Sequence, residues 1–148
     1  MKETFILDNT GRSRAYYLKN RKKLFLNRKL FSYIFKLVKK EKKDFRVCFH
    51  KNKKDKLHNM LNIIYKNKKK KIFHKHINKD EIYNIIFGEI EIKFLSKDKN
   101  SKIILNKHQP VCRVSKGTFH QVNSLSHFSI FHEIRLGPFY KSDSIFRR

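Results

Sequence analysis

Tryptophan is absent from the 148 residues, glycine occurs four times, and proline and cysteine twice each. Two cysteines, Cys48 and Cys112, are too few for a disulfide scaffold in a chain of this length. No apolar run approaches the roughly 18 residues of a helical membrane span, so no span is expected. The stretch from Met1 to Asp8 is too polar to read as a signal peptide. Together these absences lead to the expectation of a soluble, cytoplasmic protein. Acidic residues are scarce too, 12 against 37 Lys and Arg, which leaves a formal net charge of +25.

What remains is enough for one folded domain. Aromatics make up 14% of the chain, with 14 Phe and 6 Tyr, which argues against disorder despite the charge. A chain of this length buries about two-thirds of the surface it exposes when unfolded. The charge has two readings. Clustered cations bind phosphates and release counterions, the footprint of a nucleic-acid binder. Yet Lys outnumbers Arg by about three to one, and a chain built to grip phosphates bidentately leans on Arg. Drift toward residues with A- and T-rich codons accounts better for the Lys, Asn, Ile, Phe and Tyr excess. Some non-specific nucleic-acid affinity is expected either way, and anionic partners are favoured.

Residues 1–29 are basic and irregular, with Arg12, Arg14, Lys19, Arg21, Lys22 and Lys23 clustered. Leu30, Phe31, Ile34, Leu37 and Val38 then fall on one helical face, which predicts a helix over about 30–41, packed on a sheet. From Asp44 on the pattern is β. Phe45, Val47 and Phe49 alternate with Arg46, Cys48 and His50, and Met60 to Tyr65 is apolar and β-branched. Lys66 to Lys71 reads as a solvated turn. Gly88 separates two alternating runs between Glu81 and Leu95, as a turn or bulge joining antiparallel strands would. Further strands are expected at 103–105, 111–114, 119–122 and 128–135. The division is a basic N-terminal segment, 1–43, and an all-β body, 44–148, in sandwich or barrel form.

His74 and His76 stand at i and i+2, so on a strand both imidazoles project from one face. A turn at residues 77–80 brings Glu81 back toward them, and His120 follows a turn at Lys116-Gly117. Three imidazoles and one carboxylate suit one borderline divalent ion, with Zn, Fe, Mn, Ni and Co all open. Glu133 is a candidate general base or a partner that orients a metal-bound His, or else a structural carboxylate paired with Arg46 or Arg135. Cys48 reads first as a buried hydrophobe. Tyr83 and Arg113 are long enough to reach a bound anion but are not counted as site residues, and His58, His108, His127 and His132 read as ordinary.

The spacing resembles a known family. His74-Lys75-His76, then Glu81, then Gly88 resembles the first cupin motif, and Ser115-Lys116-Gly117-Thr118-Phe119-His120 the second. Arg46-Val47-Cys48-Phe49-His50, Met60, and Glu133 followed by Gly137-Pro138-Phe139 resemble, in order, the WbuC-type cupin metalloproteins. The resemblance covers roughly residues 30–140. It implies a double-stranded β-helix, a small jelly-roll barrel, with the metal in its mouth. It also implies a link to surface-polysaccharide (O-antigen) synthesis, and it supplies no reaction. Three functions follow: a metal-dependent enzyme on a sugar or nucleotide-sugar intermediate, a non-catalytic sugar- or metal-binding regulatory module, and a basic RNA-binding protein. The ligand expected is small, anionic or sugar-like, and pairing into a homodimer is open.

Overall fold

The structure, a computed structural model, describes residues 5–11, 13–19, 26–67 and 72–147. Arg12, Arg21, Lys22 and Lys23 of the basic cluster, and residues 68–71 of the charged turn, lie outside the described residues. Twelve strands and one α-helix follow one another: β1 (Phe5–Asp8), β2 (Arg14–Leu18), α1 (Arg28–Glu41), β3 (Phe45–Cys48), β4 (Leu57–Tyr65), β5 (Phe73–His76), β6 (Glu81–Phe87), β7 (Ile90–Leu95), β8 (Ser101–Leu105), β9 (Val111–Val114), β10 (Phe119–Ser124), β11 (Phe128–Leu136) and β12 (Ser144–Arg147). A 3-10 turn, Lys141–Asp143, leads into β12. No helix among the described residues is long and apolar enough to cross a membrane.

The helix begins two residues earlier than its apolar face suggests, because Asn27 caps it. The Asn27 side-chain oxygen accepts from the Leu30 N–H at 2.9 Å. Lys39 and Lys40 occupy the last turn, where cations suit the helix dipole. Leu30, Ile34, Leu37 and Val38 are buried against Tyr16, Phe45, Val47, Leu61, Ile63 and Ile130. This is the expected helix-on-sheet packing.

The strands make two sheets. One has seven strands in the order β1-β2-β3-β4-β11-β6-β9, and the other five in the order β12-β5-β10-β7-β8. The all-β expectation holds for the body. Residues 5–8 and 14–18, read as irregular, are instead strands of the larger sheet, β1 at its edge and β2 beside it. β2 pairs with β3 in parallel, so α1 is the crossover that a parallel pair requires. The signal was missed because β1 and β2 are four and five residues long and carry little alternation.

The outer face of the larger sheet packs on α1. Its inner face packs on the smaller sheet through Ile64, Tyr83, Ile85, Ile90, Ile92, Leu105, Val114 and Phe131. Among the described residues no strand pairing joins the two sheets, so they are not closed into a barrel. β6 and β7 do not pair with each other as the Gly88 pattern suggested. Gly88 passes the chain from one sheet to the other at φ +75°, and a Cβ there would stand 2.9 Å from the Phe128 carbonyl oxygen.

Candidate metal centre

Alternation along the strands brings the candidate ligands to the space between the sheets. His74 and His76 lie on β5, Glu81 opens β6, and His120 is the second residue of β10. His120 is directly opposite His74 in the β10–β5 register. The Gly117 N–H donates to the His76 carbonyl at 2.6 Å, which ties the turn before β10 to the end of β5. Asp80 ties the other side: its carboxylate accepts from the Lys116 N–H at 2.8 Å and from Arg113. Arg113 is therefore committed to Asp80 at the surface.

Glu81 is the hub. It is 2% exposed, and each of its oxygens faces one imidazole. Oε1 lies 2.9 Å from His76 Nε2, and Oε2 lies 3.0 Å from His120 Nε2. The Tyr83 hydroxyl donates to Oε2 at 2.9 Å, and Arg135 Nη1 lies 3.3 Å from Oε1. Burial works to raise the Glu81 pKa, but His120, His76 and Arg135 outweigh it and hold the carboxylate well below its usual range. One ligand atom each from His74, Glu81 and His120 lies within 4.8 Å of the others. His76 is outside that trio, on the Arg135 side of Glu81, with its Nε2 3.0 Å from Arg135 Nη1.

The donor set fits a divalent cation. His120 Nδ1 lies 3.0 Å from the Thr118 carbonyl oxygen, which only accepts, so Nδ1 carries the hydrogen. In the neutral ring the Nε2 lone pair then points at a carboxylate oxygen 3.0 Å away. Two electron-rich atoms so placed call for a proton or a cation between them. Burial lowers the His120 pKa, yet the hydrogen bond and charge of Glu81 outweigh it and leave it raised. His74 is pushed down to about 3, by burial first and by His120 next, so its ring stays neutral. Ser144 Oγ lies 3.1 Å from His76 Nδ1 and orients that ring.

The site opens into a cavity of about 750 Å³ between the sheets. Its walls include Tyr17, Arg46, Cys48, His58, Glu133 and Phe146. Glu133 is buried, accepts from Asn62 Nδ2 at 2.6 Å, and lies 3.4 Å from Arg135 Nε. Burial raises its pKa more than Arg135 lowers it. Of the two partners expected for a structural Glu133, Arg135 is the one that pairs. Burial pushes the Cys48 thiol up to about 12, and Cys48 packs with Ala15, Tyr17 and Met60 as the hydrophobe expected. His58, read as ordinary, lines the cavity instead, stacked on His50. Arg135, expected only as a partner of Glu133, also reaches Glu81 and His76, and Ser144 was missed as a neighbour of the site. Arg135 had one signal: it stands two residues from Glu133 and so shares its face.

No family model and no curated protein matches the sequence. Solved structures do match in fold. The capsular polysaccharide assembling protein CapF from Staphylococcus aureus aligns with a TM-score of 0.54 and 17% identity, over 68% of this chain and 30% of that one. A mutant of the Bacillus subtilis oxalate decarboxylase OxdC aligns with a TM-score of 0.51 and 17% identity, over 62% of this chain and 24% of that one. The chain has the cupin fold, and it spans less than a third of the length of either protein.

Proposed function

We propose that this chain is a metal-binding cupin of the WbuC type whose cavity takes a sugar or nucleotide-sugar intermediate of surface-polysaccharide synthesis. The observation that carries the reading is Glu81, whose two buried oxygens each face a histidine Nε2 at the floor of the cavity. His74, Glu81 and His120 are the principal ligands, and His76 is the fourth. CapF, a capsular polysaccharide assembling protein, supports the capsular setting, and the Mn(II) centres of Bacillus subtilis oxalate decarboxylase support a divalent ion.

A bound divalent ion supplies Lewis acidity toward a carbonyl or hydroxyl oxygen. The chain's own groups do the rest. Tyr83 keeps its proton, because burial and the Glu81 charge hold its pKa well above 10.0, and so it fixes Glu81 by donation. Glu133, with its raised pKa, is placed to hold or accept a proton at the cavity wall, which is the general-base role. Ile64, Tyr17 and Phe131 keep that wall largely apolar.

The test is bound metal in untagged protein by mass spectrometry, beside a His74→Ala/His120→Ala double variant. About one equivalent in the wild type and almost none in the folded variant is expected, followed by retention of a nucleotide sugar. Absence of metal after reconstitution with Zn, Fe, Mn and Ni would overturn the reading.

A further inference from the structure

The cavity is lined by two cations, Arg46 and Lys141, that form no ion pair among the described residues. Lys53 is paired with Asp8 at 2.8 Å and also donates to Thr10 Oγ1 at 2.7 Å. Arg135 is shared between Glu81 and Glu133. Arg46 makes no ion pair among the described residues, and its Nε is enclosed without a hydrogen-bond partner there. A guanidinium is always charged, so it cannot escape this by losing a proton. Alternation on β3 puts Arg46 on the same wall as Cys48 and His50, away from Phe45 and Val47, which face α1. Gly11 covers it closely: a Cβ at Gly11 would stand 3.4 Å from Arg46 Nη2.

We propose that Arg46 is the anchor for a phosphate group of the cavity's ligand, with Lys141 at the rim as a second cation. This rests on the cavity being the ligand site. A guanidinium offers a planar pair of donors that matches phosphate oxygens, and Arg46 lines the cavity. β4 and β11 lie between the strands of Arg46 and Glu81. Three strand spacings of about 4.8 Å put roughly 14 Å of sheet between them. A free monosaccharide is too short to touch both. A sugar carried on a diphosphate reaches, with its phosphates at Arg46 and its ring toward Glu81. The chemical class is therefore a glycosyl diphosphate, nucleoside-linked or otherwise.

The experiment is calorimetric titration of metal-reconstituted protein with inorganic pyrophosphate and with UDP-glucose, for wild type, Arg46→Gln, Arg46→Lys and Arg113→Gln. Metal content and thermal midpoint are measured on each sample. Arg46→Gln is expected to weaken both probes at least tenfold with metal content unchanged, and Arg46→Lys to weaken them less. Arg113→Gln, which removes a surface cation, is expected to leave them as in wild type. Binding of pyrophosphate without UDP-glucose supports the anchor and discards the nucleoside-linked source. Equal affinity of wild type and both Arg46 variants, or no binding by the wild type at millimolar probe, overturns the proposal. Metal content separates the two readings: an empty wild type that still binds pyrophosphate through Arg46 defeats the metal site and keeps the anchor.

Discussion

His74 and His120 face each other across the β5–β10 pair, with ring centroids 4.3 Å apart. Forty-six positions separate them in sequence, yet one ladder of backbone hydrogen bonds sets their distance. Glu81 reaches the same point from the other sheet. His76 meets Glu81 from the side and shares its Nε2 with Arg135. The four side chains are therefore unequal. His120→Ala and His74→Ala are each expected to leave less than about a tenth of the wild-type metal, while His76→Ala keeps stoichiometric metal at about 10- to 100-fold weaker affinity. Chelator competition followed by metal analysis checks the order. Equal loss in all three variants would show that Arg135 withdraws and His76 ligates fully.

Tyr83→Phe probes Glu81 without changing the shape of the site. The hydroxyl donates to Glu81 Oε2 at 2.9 Å and is completely enclosed. Losing it frees one carboxylate oxygen to rotate. Metal affinity should fall about tenfold, as is usual when a ligand loses its orienting partner. A competition titration that gives the wild-type value would remove Tyr83 from the support of the site.

The residues that meet at the site were legible because strands have a fixed two-residue period. His74 and His76 had to share a face, and the turn residues before Glu81 and His120 fixed where strands restart. The helix was legible from its apolar stripe, and only its cap moved the boundary. Residues 5–8 and 14–18 were not legible: both strands are short, β2 buries Ala15, Tyr16 and Tyr17 in succession, and alternation needs length to show. Gly88 reads as a turn or bulge between paired antiparallel strands because sequence shows where a chain bends and not which sheet it joins next. The positions of Arg135 and Ser144 depend on pairing across distant strands, β11 with β6 and β12 with β5, which no local pattern encodes.

Glu41 holds the end of the helix to the larger sheet. Its Oε1 accepts from the Tyr16 hydroxyl at 2.5 Å and its Oε2 from Arg14 Nη1 at 2.6 Å. Burial favours its neutral form, but Tyr16 and Arg14 outweigh this and lower its pKa. Glu41→Ala leaves a buried hydroxyl without an acceptor, at a cost of about 2 kcal/mol. Tyr16→Phe in that background should cost little more, since the partner is already gone. Urea unfolding of the two single variants and the double variant measures this. Additive losses would mean that the two side chains act independently.

The stacked pair His50 and His58 makes stability depend on acidity. Their rings lie 4.3 Å apart and 7° from parallel. Burial, then the charge of His50 and of Arg135, pushes His58 down to about 4. The folded state thus binds a proton less readily than the unfolded chain, whose histidine titrates near 6.5. The contribution is complete above that value and is lost as pH falls toward 4. Between pH 7.5 and 5 the loss amounts to about 2 kcal/mol. His58→Phe should keep the packing and flatten that part of the profile. An equal drop in midpoint for wild type and variant would assign the acid sensitivity elsewhere.

Gly137 ends β11 where there is no room for a side chain. Its N–H donates to the Lys56 carbonyl at 2.8 Å, and two residues on the Phe139 N–H donates to Lys53 at the same distance. The chain thus runs flush along residues 53–56. A Cβ on Gly137 would stand 1.7 Å from the Asp55 carbonyl oxygen and 2.7 Å from His58 Cδ2. The first of these atoms is backbone and cannot rotate away, so the strand end and the loop must separate. Both hydrogen bonds are then lost together with the overpacking cost, and Gly137→Ala should destabilise by about 3 kcal/mol or more. His58 lines the cavity, so the same variant should weaken ligand retention even where it remains folded. A thermal midpoint within about 2 °C of wild type would mean that the loop yields freely and that this contact does not hold the cavity wall.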